Sequence, residues 1–248
     1  MCLIVFAWRP GHALPLIVAA NRDEFYARPT LALAPWEDAP QVYAGRDLEA
    51  GGTWLGVGPQ GRFAALTNIR DPRQSLGSHS RGELVAAFLK GEQTVETYLN
   101  QVASRADQYS GFNLLIGDQH ALGYVNAREA VPRLLEAGVY GLSNAQLDTP
   151  WPKLVKARSR LAELLEKPAP DRLLGLLADD EPVVDALLPE TGVGLATEKL
   201  LSSAFIASQH YGTRASTVLI VDNRGQRQFI ERSFGPFGSL LGEVKLSV

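Results

Sequence analysis

The chain has 248 residues, 46% of them hydrophobic, and a formal net charge of −3 at pH 7. That apolar content supports a substantial core and excludes a disordered chain, while the mild charge with no dense Lys/Arg run excludes a nucleic-acid footprint. Its single cysteine, Cys2, excludes an internal disulfide and a cysteine-rich metal site.

Two short β-rich runs, 1–8 and 15–20, meet across Arg9-Pro10-Gly11-His12, a hairpin signal. Both are almost continuously apolar, which predicts strands covered on both faces. The first is too short to span a membrane and lacks the basic region of a signal peptide, so a cytoplasmic protein with no integral membrane segment is expected. The second run ends in Asn21-Arg22-Asp23-Glu24. If the strand continues there, Asn21 and Asp23 point one way and Arg22 and Glu24 the other. If it stops, the four make a polar turn.

Residues 28–52, with Pro29, Pro35, Pro40, Gly45, Gly51 and Gly52, read as a long irregular excursion that could border a pocket. A hairpin follows, 53–57 and 62–69 across Gly58-Pro59-Gln60-Gly61. Its glycines match the dinucleotide-binding pattern, but that fingerprint must open a helix. Here Phe63-Ala64-Ala65-Leu66-Thr67 reads as another strand, so the glycines are assigned to the turn.

Ser80-Arg81-Gly82-Glu83 has the form of a capping box and predicts a helix over 80–90. Thr94 opens a second helix, with Tyr98, Val102 and Ala106 along one stripe. Strands are predicted at 112–117, 121–126 and 138–143, then a helix reaching about Lys167 with Pro152 in its first turn. Shorter helical pieces broken by prolines fill 168–201, and 204–208, 215–222 and 226–233 read as closing strands. Hairpin clusters separated by helical pairs, without βαβ alternation or repeats, predict two sheets packed together with helices outside. One domain over 1–248 is expected.

Cys2 and the ends of the apolar runs carry the chemistry. Removal of Met1 would give one residue both a thiol and a free α-amine, a nucleophile beside its own base; the plainer reading is a small buried hydrophobe. Asp23, Asn68, Asn144 and Arg214 each stand at a strand end, where distant segments converge, although singly such residues are more often caps or turns. His12, His79, His120 and His210 show no metal-ligand spacing, and no metal is expected.

Met1-Cys2, the Asn21-Arg22-Asp23-Glu24 tetrad, Leu66-Thr67-Asn68, Leu142-Ser143-Asn144 and Tyr211-Gly212-Thr213-Arg214-Ala215-Ser216-Thr217 resemble the NRDE family, which includes the transport-and-Golgi-organisation proteins. The resemblance implies an α+β, four-layer αββα sandwich of the N-terminal-nucleophile hydrolase type. More distantly the chain is similar to the choloylglycine hydrolase and penicillin V acylase group. That similarity implies Cys2 as nucleophile, its α-amine as base, Asp23 orienting the amine, and Asn68 and Asn144 as contacts to the oxyanion or tetrahedral intermediate. The acylase pattern carries an Arg three residues before its Asp, where this chain has Ala20. Arg22 should face away from Asp23, which leaves Arg214 as the expected cation lowering the Cys2 thiol pKa.

Two functions follow from different classes. One is hydrolysis of a linear amide or related acyl substrate through an acyl-enzyme, with no cofactor required. The other, implied by the resemblance, is a non-catalytic carrier of a hydrophobic metabolite: haem as a transported ligand, or acyl-CoA and lipid handling.

Overall fold

In the computed structural model, which describes residues 2–74 and 76–248, β1 (Cys2–Trp8) and β2 (Leu16–Phe25) form the expected hairpin. β2 does not stop before the tetrad. Asn21 and Arg22 pair with Leu3 and Cys2 on one side, and Asp23 and Glu24 pair with Thr213 and Gly212 on the other. Ladder partners on both flanks hold four polar residues in a strand that local propensity alone would have turned.

The excursion expected over 28–52 is instead two paired strands, β3 (Thr30–Trp36) and β4 (Ala39–Asp47). Pro35 is tolerated because β3 is an edge strand, where one row of N–H groups is unused. β5 (Leu55–Val57) and β6 (Phe63–Asn68) lead to α1 (Gly82–Lys90) and α2 (Val95–Ala103). The capping box does not form. Arg81 occupies the N-cap with a helical backbone, and the Glu83 carboxylate accepts from the Tyr109 hydroxyl at 2.6 Å. Thr94 does cap α2, its hydroxyl accepting from the Thr97 N–H at 3.2 Å.

Next come β7 (Phe112–Gly117), β8 (Leu122–Asn126), β9 (Arg133–Leu134), β10 (Gly138–Leu142), α3 (Pro152–Leu164), α4 (Pro170–Leu177) and α5 (Leu195–Leu200). The strand predicted at 204–208 reduces to a single bridge, Ala207 to Gly212. β11 (Tyr211–Val221), β12 (Arg227–Phe234) and β13 (Leu240–Ser247) close the chain. β13 was not expected; most of its residues are exposed, and only the alternating Val244 and Leu246 are half-buried.

The chain divides into two compact units, each built from separated stretches. The first, Met1–Ala27, Arg70–Pro72 and Ala137–Val248, holds a six-stranded antiparallel sheet in the order β10-β1-β2-β11-β12-β13. Leu3, Val5, Ile17 and Val218 pack there against Leu154, Leu161, Leu173 and Leu177 of α3 and α4. The second, Arg28–Ile69 and Arg73–Glu136, holds a seven-stranded sheet from β3 to β9 in sequence order, with Leu84, Phe88 and Leu99 of α1 and α2 against Leu66, Leu114 and Ile116. Among the described residues, no helix is long and apolar enough to cross a membrane.

Candidate active site

β1 lies inside the first sheet, between β10 and β2, which buries Cys2 to 7% exposure. Cys2 pairs directly with Arg22, and directly opposed residues of an antiparallel pair share a face. The buried Ser143 hydroxyl lies 3.0 Å from the Cys2 carbonyl oxygen and 3.3 Å from Asn144 Oδ1, so it can donate to either. The Asn144 carbonyl in turn accepts from the Arg70 N–H at 2.8 Å. Three segments far apart in sequence therefore meet at the start of β1.

The tetrad splits into distinct roles. Asn21 Nδ2 donates to the carbonyls of Leu177 and Ala204 at 2.9 and 2.7 Å, while its Oδ1 accepts from Ser216 Oγ at 2.6 Å. It fastens β2 to the segments around it. Asp23 Oδ1 accepts from Thr213 Oγ1 at 2.8 Å, and the same Thr213 oxygen accepts from the Ile206 N–H at 2.9 Å. Tyr211 donates its hydroxyl to the Asp23 carbonyl at 3.3 Å. Glu24 is half-buried and accepts from the N–H of Phe25 at 2.8 Å, a local contact at the strand end.

Arg214 does not take the place expected for it. The β2–β11 register shifts between Thr213 and Ala215, so Arg214 is the extra residue of a β-bulge. Its Nη1 donates to the Phe25 carbonyl at 3.2 Å. Arg22, buried and opposite Cys2, pulls the thiol pKa down against its burial, and the buried Lys153 also interacts electrostatically with the thiol. Arg22 faces away from Asp23, as alternation requires, and for that reason faces the same way as Cys2. Asn68 ends β6 in the second unit, half-buried and paired with Phe112.

The model for the family Transport and Golgi organisation 2 matches residues 1–236. The chain belongs to that family. The Transport and Golgi organization protein 2 homolog of Bos taurus is 38% identical over 260 residues, covering 94% of this chain and 93% of the relative. Among solved structures, the C2A mutant of conjugated bile acid hydrolase from Clostridium perfringens is similar, with a TM-score of 0.54 over 100% of this chain and 92% of that one, at 7% identity. The Caenorhabditis elegans ortholog of N-acylethanolamine-hydrolyzing acid amidase is also similar, with a TM-score of 0.50, 12% identity, and 88% and 92% coverage. At such identities the likeness shows the fold alone. This family member has the α+β fold of the N-terminal-nucleophile hydrolases, as the resemblance implied.

Around the tetrad the fold gathers charges that the sequence reading missed. Lys153, in the first turn of α3, is buried, and its ammonium donates to the carbonyls of Leu201 at 2.7 Å and Ser203 at 3.3 Å. Arg70 pairs with Glu198, both side chains 5% exposed or less, and its guanidinium lies 4.6 Å from the Trp151 ring centroid. Glu198 also accepts from the Thr191 N–H at 2.8 Å. One sequence signal could have exposed Lys153: it stands at i with Ala157 and Leu161 at i+4 and i+8, on the apolar stripe of its helix.

Burial sets the protonation of this cluster. It pulls Lys153 down to about 8, with Asp23 opposing and Arg70 reinforcing the shift. It pushes the Asp23 carboxyl up, against the pull of Lys153 and the Thr213 hydrogen bond. Burial also pushes the Cys2 thiol up, with Asp23 adding and Arg22 opposing. The expected lowering of the thiol pKa is therefore reversed: desolvation outweighs the arginine, and Cys2 is held as a thiol that needs a base.

Proposed function

We propose that this protein is an N-terminal-cysteine hydrolase that cleaves a linear amide or related acyl bond through a Cys2 acyl-enzyme. The observation that carries the reading is the lone cysteine at position 2, buried on an interior strand whose paired neighbour carries the buried Asp23. Two proteins of similar fold, a bile acid hydrolase and an acid amidase by name, support the reaction class.

Removal of Met1 frees the α-amine of Cys2 to take the thiol proton. The thiolate then attacks the substrate carbonyl carbon, forming a C–S bond and a tetrahedral oxyanion. Collapse breaks the C–N bond, and the leaving amine takes its proton from the α-ammonium. Water, deprotonated by the same amine, hydrolyses the thioester and releases the acid. In this scheme Asp23 orients the amine, and Asn144 supplies a donor to the oxyanion; one such donor contributes about 3–4 kcal/mol to the transition state. Met1 lies outside the described residues, so intact-mass measurement of its removal is the first check.

The decisive experiment screens amides, acyl-amino acids and acyl thioesters, with a parallel haem titration, on wild type and Cys2→Ala. Turnover is expected to fall at least about 10³-fold in Cys2→Ala while the protein stays folded. Turnover that persists eliminates the mechanism. Binding without turnover, unchanged by the substitution, establishes the carrier function instead.

A further inference from the structure

The first unit contains a recess of about 520 Å³, lined by Leu174, Phe205, Ala207, Phe234, Phe237 and Leu240 together with a row of polar residues. Its volume is that of a small-molecule pocket. The polar row runs straight across three strands: Ser216 pairs with Arg232, and Arg232 with Glu243. Phe234, two residues beyond Arg232, shares its face. Ser216 is the partner of Asn21, whereas Cys2 is the partner of Arg22. Because Asn21 and Arg22 alternate, the recess opens on the face of the sheet opposite the thiol.

The lining specifies the occupant. Phe205 and Phe234 meet edge to face with centroids 4.9 Å apart, giving an aromatic wall. Phe237 is 69% exposed and sits at φ +56, a left-handed conformation that bulky residues avoid. Hydrogen bonds from the Phe237 N–H to the Ser208 carbonyl (2.9 Å) and from the Gly235 N–H to the Ser239 carbonyl (2.8 Å) hold it there. A fixed turn thus keeps an apolar ring uncovered at the mouth, and Leu240 beside it is 61% exposed.

The polar groups offer nothing to an anion. Ser216 is bonded to Asn21, and Arg232 is bonded to Glu243 at 2.6 Å and reaches Asp171 at 3.4 Å. Asp180 and Glu243 add negative charge to the lining. A ligand bearing carboxylates or phosphates would meet two acids in the lining and one arginine already paired.

We infer that this recess is a binding site for an uncharged, ring-bearing apolar small molecule, separate from the Cys2 site. The test is fluorescence titration of the full chain with N-phenyl-1-naphthylamine, which is neutral, and with its anionic relative 1-anilinonaphthalene-8-sulfonate. Saturable binding of the neutral probe is expected, with the anionic probe weaker. Ala207→Trp, which fills the recess, and Phe237→Ser, which removes the ring, are each expected to weaken binding about tenfold. Both positions are exposed, and circular dichroism verifies folding. Cys2→Ala should bind as wild type, so the outcome is independent of the hydrolase reading. A benzophenone probe should label peptides containing Phe205, Phe234 or Phe237, a readout that needs no variant. The inference is overturned by absence of saturable binding, by tighter binding of the anionic probe, by labelling elsewhere, or by unchanged affinity in both variants. It is also overturned if sedimentation shows a dimer that Phe237→Ser converts to monomer, because a second copy would then be the occupant.

Discussion

In the second unit, the buried Asn113 carboxamide donates to Thr67 Oγ1 at 3.0 Å and accepts from the Tyr124 hydroxyl and Asn126 Nδ2 at 2.7 and 2.6 Å. All four side chains are neutral. In the first unit the buried polar groups around the tetrad include Arg22, Asp23, Arg70, Lys153 and Glu198, and burial pushes Asp23 up and pulls Arg70 and Lys153 down. Both units place helices on one face of an antiparallel sheet, so architecture does not explain the contrast. A satisfied neutral network fixes a core. Clustered charges whose protonation has been moved by burial mark a site able to do chemistry.

The largest effect should come from the charged cluster as pH is raised. Lys153 has its pKa lowered from 10.5 to about 8 in the folded protein. Between those values the unfolded chain binds the extra proton, so this residue's contribution to stability rises with pH across that window. Relative to Lys153→Met, wild type should gain stability on the order of 3 kcal/mol between pH 8 and 10.5. Denaturant titrations at several pH values read this directly, and a pH-independent difference would remove Lys153 from the cluster.

Asn113→Ala attacks the neutral network. It strips partners from three buried groups and should cost about 2–4 kcal/mol while leaving Cys2 alkylation unchanged. Slowed alkylation in this variant would break the distinction between the units. A smaller loss, about 1 kcal/mol, is expected for Thr94→Ala, which removes the cap of α2; it calibrates an ordinary structural contact in the same unit. The smallest effect tests which arginine serves the thiol. Arg22→Met should slow iodoacetamide labelling of Cys2 about threefold at neutral pH, since it removes the cation opposing the rise in thiol pKa, and Arg214→Ala should slow it less. The reverse order would restore the role first expected of Arg214.

The periodicity of the chain made most elements legible, because apolar runs bounded by Arg9-Pro10-Gly11 or Gly58-Pro59-Gln60-Gly61 encode strands and turns locally. Asp23, Asn68 and Asn144 stood out in the sequence as polar residues closing apolar runs and Cys2 as the lone cysteine, and the motifs pointed to the family whose model matches residues 1–236. Tertiary structure alone decided the rest. Whether the tetrad was turn or strand depended on β11, nearly two hundred residues away, supplying partners for Asp23 and Glu24. A bulge in β11, invisible to alternation, put Arg214 out of register, while the separate β1–β2 register set Arg22 opposite Cys2. The place of Lys153 on the apolar stripe of its helix hinted at burial, but only the fold supplied the Leu201 and Ser203 carbonyls that accept from its ammonium. The Cys2 pKa likewise follows from desolvation, a property of every atom packed around it rather than of its neighbours in sequence.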